Sequence, residues 1–172
     1  MGPLARTVAD CALLTGVIAG EDPQDSTTSA EPVPDYAADL QSGIEGWRIG
    51  VPANYFYDEV CDEVRAALEA SLEVFRGAGA RIVEVTVPDM TPLYALGDTL
   101  SKCEAASIHK HWMRSVPDQY GAHTHTRVEA GFHLPATRYI ESLRLRSVHL
   151  DAFVQSVFDH VDVLHAPVIG MP

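Results

Sequence analysis

The chain has 172 residues and a net charge of −12, from 24 acidic and 12 basic side chains. Its only lysines are Lys102 and Lys110, so it lacks the clustered cations that hold a nucleic-acid backbone or an anionic membrane surface. A hydrophobic content of 47% with 21% charged residues excludes disorder and fits one globular domain.

Cys11, Cys61 and Cys103 are odd in number, widely spaced and never form CxxC. That argues against a disulfide framework or a structural zinc site and for a reducing compartment, the cytoplasm. The opening Met-Gly-Pro-Leu-Ala-Arg carries no signal-type apolar core, and no run approaches the ~18 apolar residues of a membrane-spanning helix.

In chain order, residues 7–20 read as a helix. Thr7 is placed to cap it, Asp10 stands in the capping-box position, and Gly20 ends it. Val8, Cys11, Ala12, Leu14 and Ile18 have helical spacing, and Leu13 and Val17 leave little polar face, so this helix is expected to be buried. Residues 21–45, with Pro23, Pro32, Pro34 and a Ser/Thr run, read as a long loop crossing the surface of something larger. Trp47–Pro52 reads as a buried strand. Val60, Val64, Leu68, Leu72 and Phe75 make an amphipathic helix ended by Gly77 and Gly79, and Arg81–Val87 is a β-branched second strand. Strand, helix and strand with short joints predict a βαβ unit with parallel strands.

Residues 93–116 look helical, and 117–135 mix Pro, Gly and His without a clear period. A long helix is marked by Tyr139, Ile140, Leu143, Leu150, Phe153 and Val157. Val161–Val168 then reads as a third strand broken by Pro167. A sheet of two or three strands is small, and open edges are a liability. The expectation is a segment of a larger α/β domain.

Several short runs add a resemblance to these patterns. Gly2-Pro3-Leu4-Ala5-Arg6-Thr7-Val8-Ala9-Asp10 is similar to GPMARTVAD of the amidase-signature enzymes. Ile18-Ala19-Gly20 with Asp22-Pro23-Gln24-Asp25-Ser26-Thr27 resembles IAGxDPxDxTS. Gly46-Trp47-Arg48-Ile49-Gly50-Val51-Pro52 with Tyr55-Phe56 resembles LxGLRIGVPxxYF. Val161-Asp162-Val163-Leu164 with Pro167 resembles VDVLLTP, with Ala166-Pro167 in place of Thr-Pro. The anchors run from residue 2 to residue 167 in the family's order.

The resemblance implies a partial amidase-signature fold, a mixed α/β sheet flanked by helices, over residues 1–172. It also implies hydrolysis of carboxylic amides to acid and ammonia by a Ser–cis-Ser–Lys triad with a backbone oxyanion hole. In the family the triad lysine and its GGSSGGS-like loop precede the GPMARTV segment. No Gly-Gly-Ser-Ser or Gly-x-Ser-x-Gly occurs in this chain. No residue here therefore inherits a catalytic role, and the chain is expected to be catalytically silent.

The substrate side does carry over. Tyr120-Gly121 and Arg127 follow the order of the tyrosine and arginine that hold glutamine in the catalytic subunits of tRNA-dependent amidotransferases. Arginine suits a substrate carboxylate because its fork binds bidentately. The expected partners are a small amide substrate, and either further copies of the chain or amidotransferase subunits. No cofactor is expected. A segment of a glutamyl-tRNA(Gln) or aspartyl-tRNA(Asn) amidotransferase is one alternative, and a non-catalytic binding or assembly module is another.

The remaining prominent side chains have plainer readings. His109, His111, His123, His125 and His133 lack a completing zinc set, and His123 and His125 would share a face only in an extended chain. Glu104 reads as a buried carboxylate with a partner. Trp47 and Trp112 read as core, and Arg138, Arg144 and Arg146 as solvated helix residues.

Overall fold

The computed structural model describes residues 2–171. The chain divides between Glu45 and Gly46 into two units.

The first unit contains one helix, α1 (Val8–Ile18). The Thr7 side chain caps it by accepting from the Asp10 backbone N–H at 3.1 Å. The expected burial of α1 is not found, for none of its residues is buried. Val8 and Val17 are 72% and 76% exposed, because the first unit supplies little to cover a helix that is apolar nearly all round.

The stretch after α1 has no regular element, as composition predicts, but it is knitted locally. The Asp25 carboxylate accepts from the Thr27 N–H and hydroxyl at 2.9 and 2.6 Å. The Thr28 hydroxyl accepts from the Asp22 N–H at 3.0 Å and donates to the Asp25 carbonyl at 2.8 Å. These are the side-chain-to-backbone turns that Asp and Thr favour.

The second unit is built on a three-stranded sheet in the order β2-β1-β3. β1 (Arg48–Pro52) leads through α2 (Asp62–Gly77) to β2 (Arg81–Val85), which lies parallel to it with Ile49 opposite Ile82. The βαβ unit is therefore as predicted. Gly79, at φ 86°, supplies the left-handed residue that turns the chain from helix to strand.

β3 (Val163–Leu164) pairs parallel with the other side of β1 and is shorter than the predicted strand. Its ladder runs from Asp162 N–H on the Arg48 carbonyl to His165 N–H on the Gly50 carbonyl, both 2.8 Å. Pro167, two residues on, has no N–H to continue it.

Helices follow β2: α3 (Thr91–Ser115), α4 (Ala122–Ala130) and α5 (Ala136–Phe158), with single 3-10 turns at Pro117–Gln119 and Gly131–His133. The undecided stretch 117–135 thus contains a helix. The sheet's core is Val85, Val87, Val157 and Val161, with Phe56, Val83, Met90, Phe153 and Leu164 packed on it. Gly50 permits this closeness, since a Cβ there would lie 2.9 Å from a Val161 methyl.

Three expectations on single residues fail. The buried positions of α3 are Leu96, Thr99, Ala106 and Met113. Trp112 and Glu104 lie off that stripe, so Trp112 is half exposed and Glu104 is exposed. Trp47 precedes the β1 ladder. Its carbonyl takes the Arg81 N–H at 2.7 Å while its ring stays half exposed.

Candidate functional site

α4 reaches its position through Gly131. A side chain there would overlap the Lys102 carbonyl of α3 and approach the Ala106 Cβ to 2.8 Å. With Val128 buried alongside, α4 lies against α3 and sets two cavities on either side of itself.

The first cavity, about 310 Å³, is lined by Ser101, Lys102, Ala105, His123, Thr124, Arg127 and Val128. It collects cationic groups in a chain of strongly negative charge. Lys102 is held by Asp98 at 2.6 Å, whereas Arg127 makes no ion pair among the described residues. The second cavity, about 420 Å³, is lined by Pro117, Asp118, Tyr120, Ala122, His125 and Thr126. The Tyr120 hydroxyl lies 2.8 Å from His109 Nδ1, and the Tyr120 ring meets the His109 and His125 rings edge-on.

Tyr120 and Arg127 therefore line different cavities of one helical layer. His123 and His125, two apart on a helix, are divided between the two cavities. His125 also faces Glu129 at 3.6 Å. Among the described residues no three His, Cys, Asp or Glu side chains converge on a point.

Neither motif nor spacing revealed a third group, which joins residues 94 and 108 positions apart. The His165 ring stands at the end of β3 with Nδ1 2.7 Å from the Tyr57 hydroxyl and Nε2 2.9 Å from Ser71 Oγ. The Phe75 ring meets it edge-on. Burial holds the His165 pKa below the ordinary histidine range and pushes the Tyr57 phenol up, the latter partly offset by the Arg65 charge. The only signal in the sequence was a histidine inside an apolar strand pattern.

The segment after His165 walls a cavity of about 460 Å³ with Tyr55, Phe56, Asp58, Glu59 and Val60. Tyr55 sits at φ 65°, uncommon for a bulky side chain. Its N–H is held by the Asp58 carboxylate at 2.9 Å.

Comparison with known proteins places this architecture. The family model described as Amidase matches residues 1–172. The chain belongs to the amidase family. An amidase of Pseudomonas putida is 37% identical to this amidase-family chain over 171 residues, covering 99% of the chain and 36% of the relative. A glutamyl-tRNA(Gln) amidotransferase component from Geobacter sulfurreducens, its A-type subunit, is 32% identical over 196 residues, covering all of the chain and 40% of that protein.

Among solved structures, an amidase crystal structure superposes with a TM-score of 0.76 at 26% identity, over 99% of this chain and 35% of that one. A protein described as part of a vestigial complex, bearing on the origins of an s-triazine catabolic enzyme, superposes with a TM-score of 0.79 at 28% identity. It covers 98% of this chain and 37% of that one. The amidase-family chain thus spans about two fifths of the length of these relatives. No helix among the described residues is long and apolar enough to cross a membrane.

Proposed function

We propose that residues 1–172 form one partial domain of a cytoplasmic amide hydrolase, which releases acid and ammonia from a carboxylic amide. In this reading the chain supplies substrate-side wall and none of the reacting groups. The match of the amidase model along the whole chain carries it, together with the absence of any Gly-Gly-Ser-Ser or Gly-x-Ser-x-Gly run that could hold a serine nucleophile. Arg127 receives a carboxylate of the substrate, for which a guanidinium without an ion-pair partner beside Lys102 and His123 is suited. Tyr120, oriented by His109, presents a phenol at the neighbouring cavity.

The 172-residue chain alone should release no ammonia from a simple aliphatic or aryl amide. Release would overturn the reading. The substrate-side roles are tested in a chimera in which this chain replaces the matching stretch of the Pseudomonas putida amidase. Arg127→Ala should raise KM for a carboxylate-bearing amide about tenfold or more, as loss of a charge-assisted hydrogen bond does. kcat should stay near its value, and Arg127→Lys should recover part of the loss. An unchanged KM would remove Arg127 from the site.

A second reading, as a segment of a glutamyl-tRNA(Gln) amidotransferase, is favoured by the 32% identity over the whole chain with a component of such an enzyme. It predicts glutamine as the nitrogen donor and retention of the other amidotransferase subunits in a pull-down. The hydrolase reading predicts neither.

A further inference from the structure

The group around His165 has a defined direction of hydrogen bonding. The Ser71 hydroxyl donates to the Leu68 carbonyl at 2.7 Å. Ser71 Oγ therefore accepts from His165, which places the imidazole proton on Nε2. Nδ1 is then bare and accepts from the Tyr57 hydroxyl. The Tyr57 bond requires neutral histidine, whereas the bond from Nε2 to Ser71 survives protonation.

Protonation at Nδ1 would set a donor against a donor. Tyr57 would have to turn its proton away from the ring, and the His165 carbonyl on that side lies at a long 3.5 Å. No carboxylate forms an ion pair with His165 among the described residues. A cation, Arg65, acts on Tyr57, and its Nη2 donates to the Tyr57 carbonyl at 3.0 Å. The other face of the ring meets Phe75.

The position of these bonds gives them a consequence. Tyr57 belongs to the turn after β1, Ser71 and Phe75 to α2, and His165 to the end of β3. The far end of the segment that follows is pinned separately, with the Gly170 carbonyl accepting from Cys61 N–H at 2.9 Å. Between the two pins, Pro167, Val168 and Ile169 wall the 460 Å³ cavity opposite Tyr55 and Phe56. In the VDVLLTP pattern the position of His165 holds leucine, which could make neither side-chain bond.

We propose that Tyr57, His165 and Ser71 form a proton-operated latch. Neutral His165 fastens the 165–170 segment to α2 and to the turn after β1. Protonation in mildly acidic solution breaks the hold on the turn after β1 and loosens one wall of the Tyr55–Phe56 cavity. Burial of the ring without a counter-charge keeps the latch closed at neutral pH.

The test uses the 172-residue chain. The His165 imidazole is titrated by NMR, assigned by its absence in His165→Asn. Amide exchange of the 163–171 stretch is followed by mass spectrometry from pH 8 to 5, corrected for intrinsic rates. The His165 midpoint should fall below 6.5. Corrected exchange of that stretch should rise as pH drops, by ~10-fold for each unit by which the midpoint is depressed.

His165→Asn should abolish the pH dependence. If the same dependence persists in His165→Asn, or His165 titrates at or above 6.5, the latch does not exist. Should the asparagine variant fail to fold, Tyr57→Phe decides. Loss of the donor to Nδ1 should move the His165 midpoint upward, and an unmoved midpoint overturns the proposal.

Discussion

Gly131 and Gly97 look alike in the sequence, yet the structure gives them opposite meanings. Gly131 has φ −65°, open to any residue, so its lack of a side chain serves closeness and not conformation. A Cβ there would collide with the backbone of α3 at Lys102, which cannot swing aside as a flexible side-chain tip could. Gly131→Ala should therefore prise α4 off α3 and destabilise the chain by about 2–4 kcal/mol, in the range of severe overpacking. Gly97 lies within α3 with nothing inside 4 Å of a Cβ. Gly97→Ala should stabilise by about 1 kcal/mol, the helix-propensity difference between the two residues. Urea unfolding of both variants checks the pair, and a neutral Gly131→Ala would mean that α4 does not approach α3 this closely. The comparison also bears on the candidate site, because the Arg127 cavity lies between these two helices.

The element scale shows why some of the fold was legible and some was not. The βαβ unit could be read because α2 has an amphipathic period and its strands are β-branched runs bounded by glycine and proline. Both signals are local. α4 could not be read, since its hold on α3 depends on one long-range glycine contact and one buried valine, Val128. Arg127 and Tyr120 were picked out by resemblance, while the His165 group escaped because its three members come from separate elements. β3 was overestimated for a related reason. Beside the packing of Val161 and Leu164, its attachment includes a side-chain clamp, where Asp162 accepts from the Arg48 N–H at 2.8 Å and from Arg48 Nη2 at 2.7 Å. The Arg48 hydrogen bonds, foremost the side-chain one, hold the Asp162 pKa below its usual 3.8. A depressed acid stabilises the fold in full above its unfolded pKa and loses that contribution as pH falls through the folded value. The clamp should thus be intact at neutral pH and weaken only below about pH 4. Asp162→Asn should lower the urea midpoint at pH 7 by a small amount, as expected for a half-exposed pair. The difference from the parent should vanish once the pH falls below the folded pKa of Asp162. A difference that persists there would assign the effect to packing instead of charge.

For the whole molecule the telling quantity is exposed apolar surface, which each unit carries. In the first unit Val8, Leu13, Val17 and Ile18 of α1 are all more than 60% exposed. In the second, α5 presents Ile140, Leu143, Val148, Leu150 and Val154 to solvent. Isolated apolar residues on a surface are ordinary, but contiguous helical faces of this kind mark contact regions. The chain spans only 36% of its amidase relative, which leaves ample sequence in that protein to cover such faces. The 172-residue chain in solution should therefore bind a hydrophobic dye strongly and sediment as concentration-dependent oligomers while keeping its helical far-UV signal. In the chimera with the Pseudomonas putida amidase the dye signal per molecule should fall several-fold, because the same faces become buried. A monomeric chain that binds no dye would show that the exposed helices find cover within the 172 residues, and a chimera that binds as much dye as the chain alone would show that the relative's remaining sequence does not supply it.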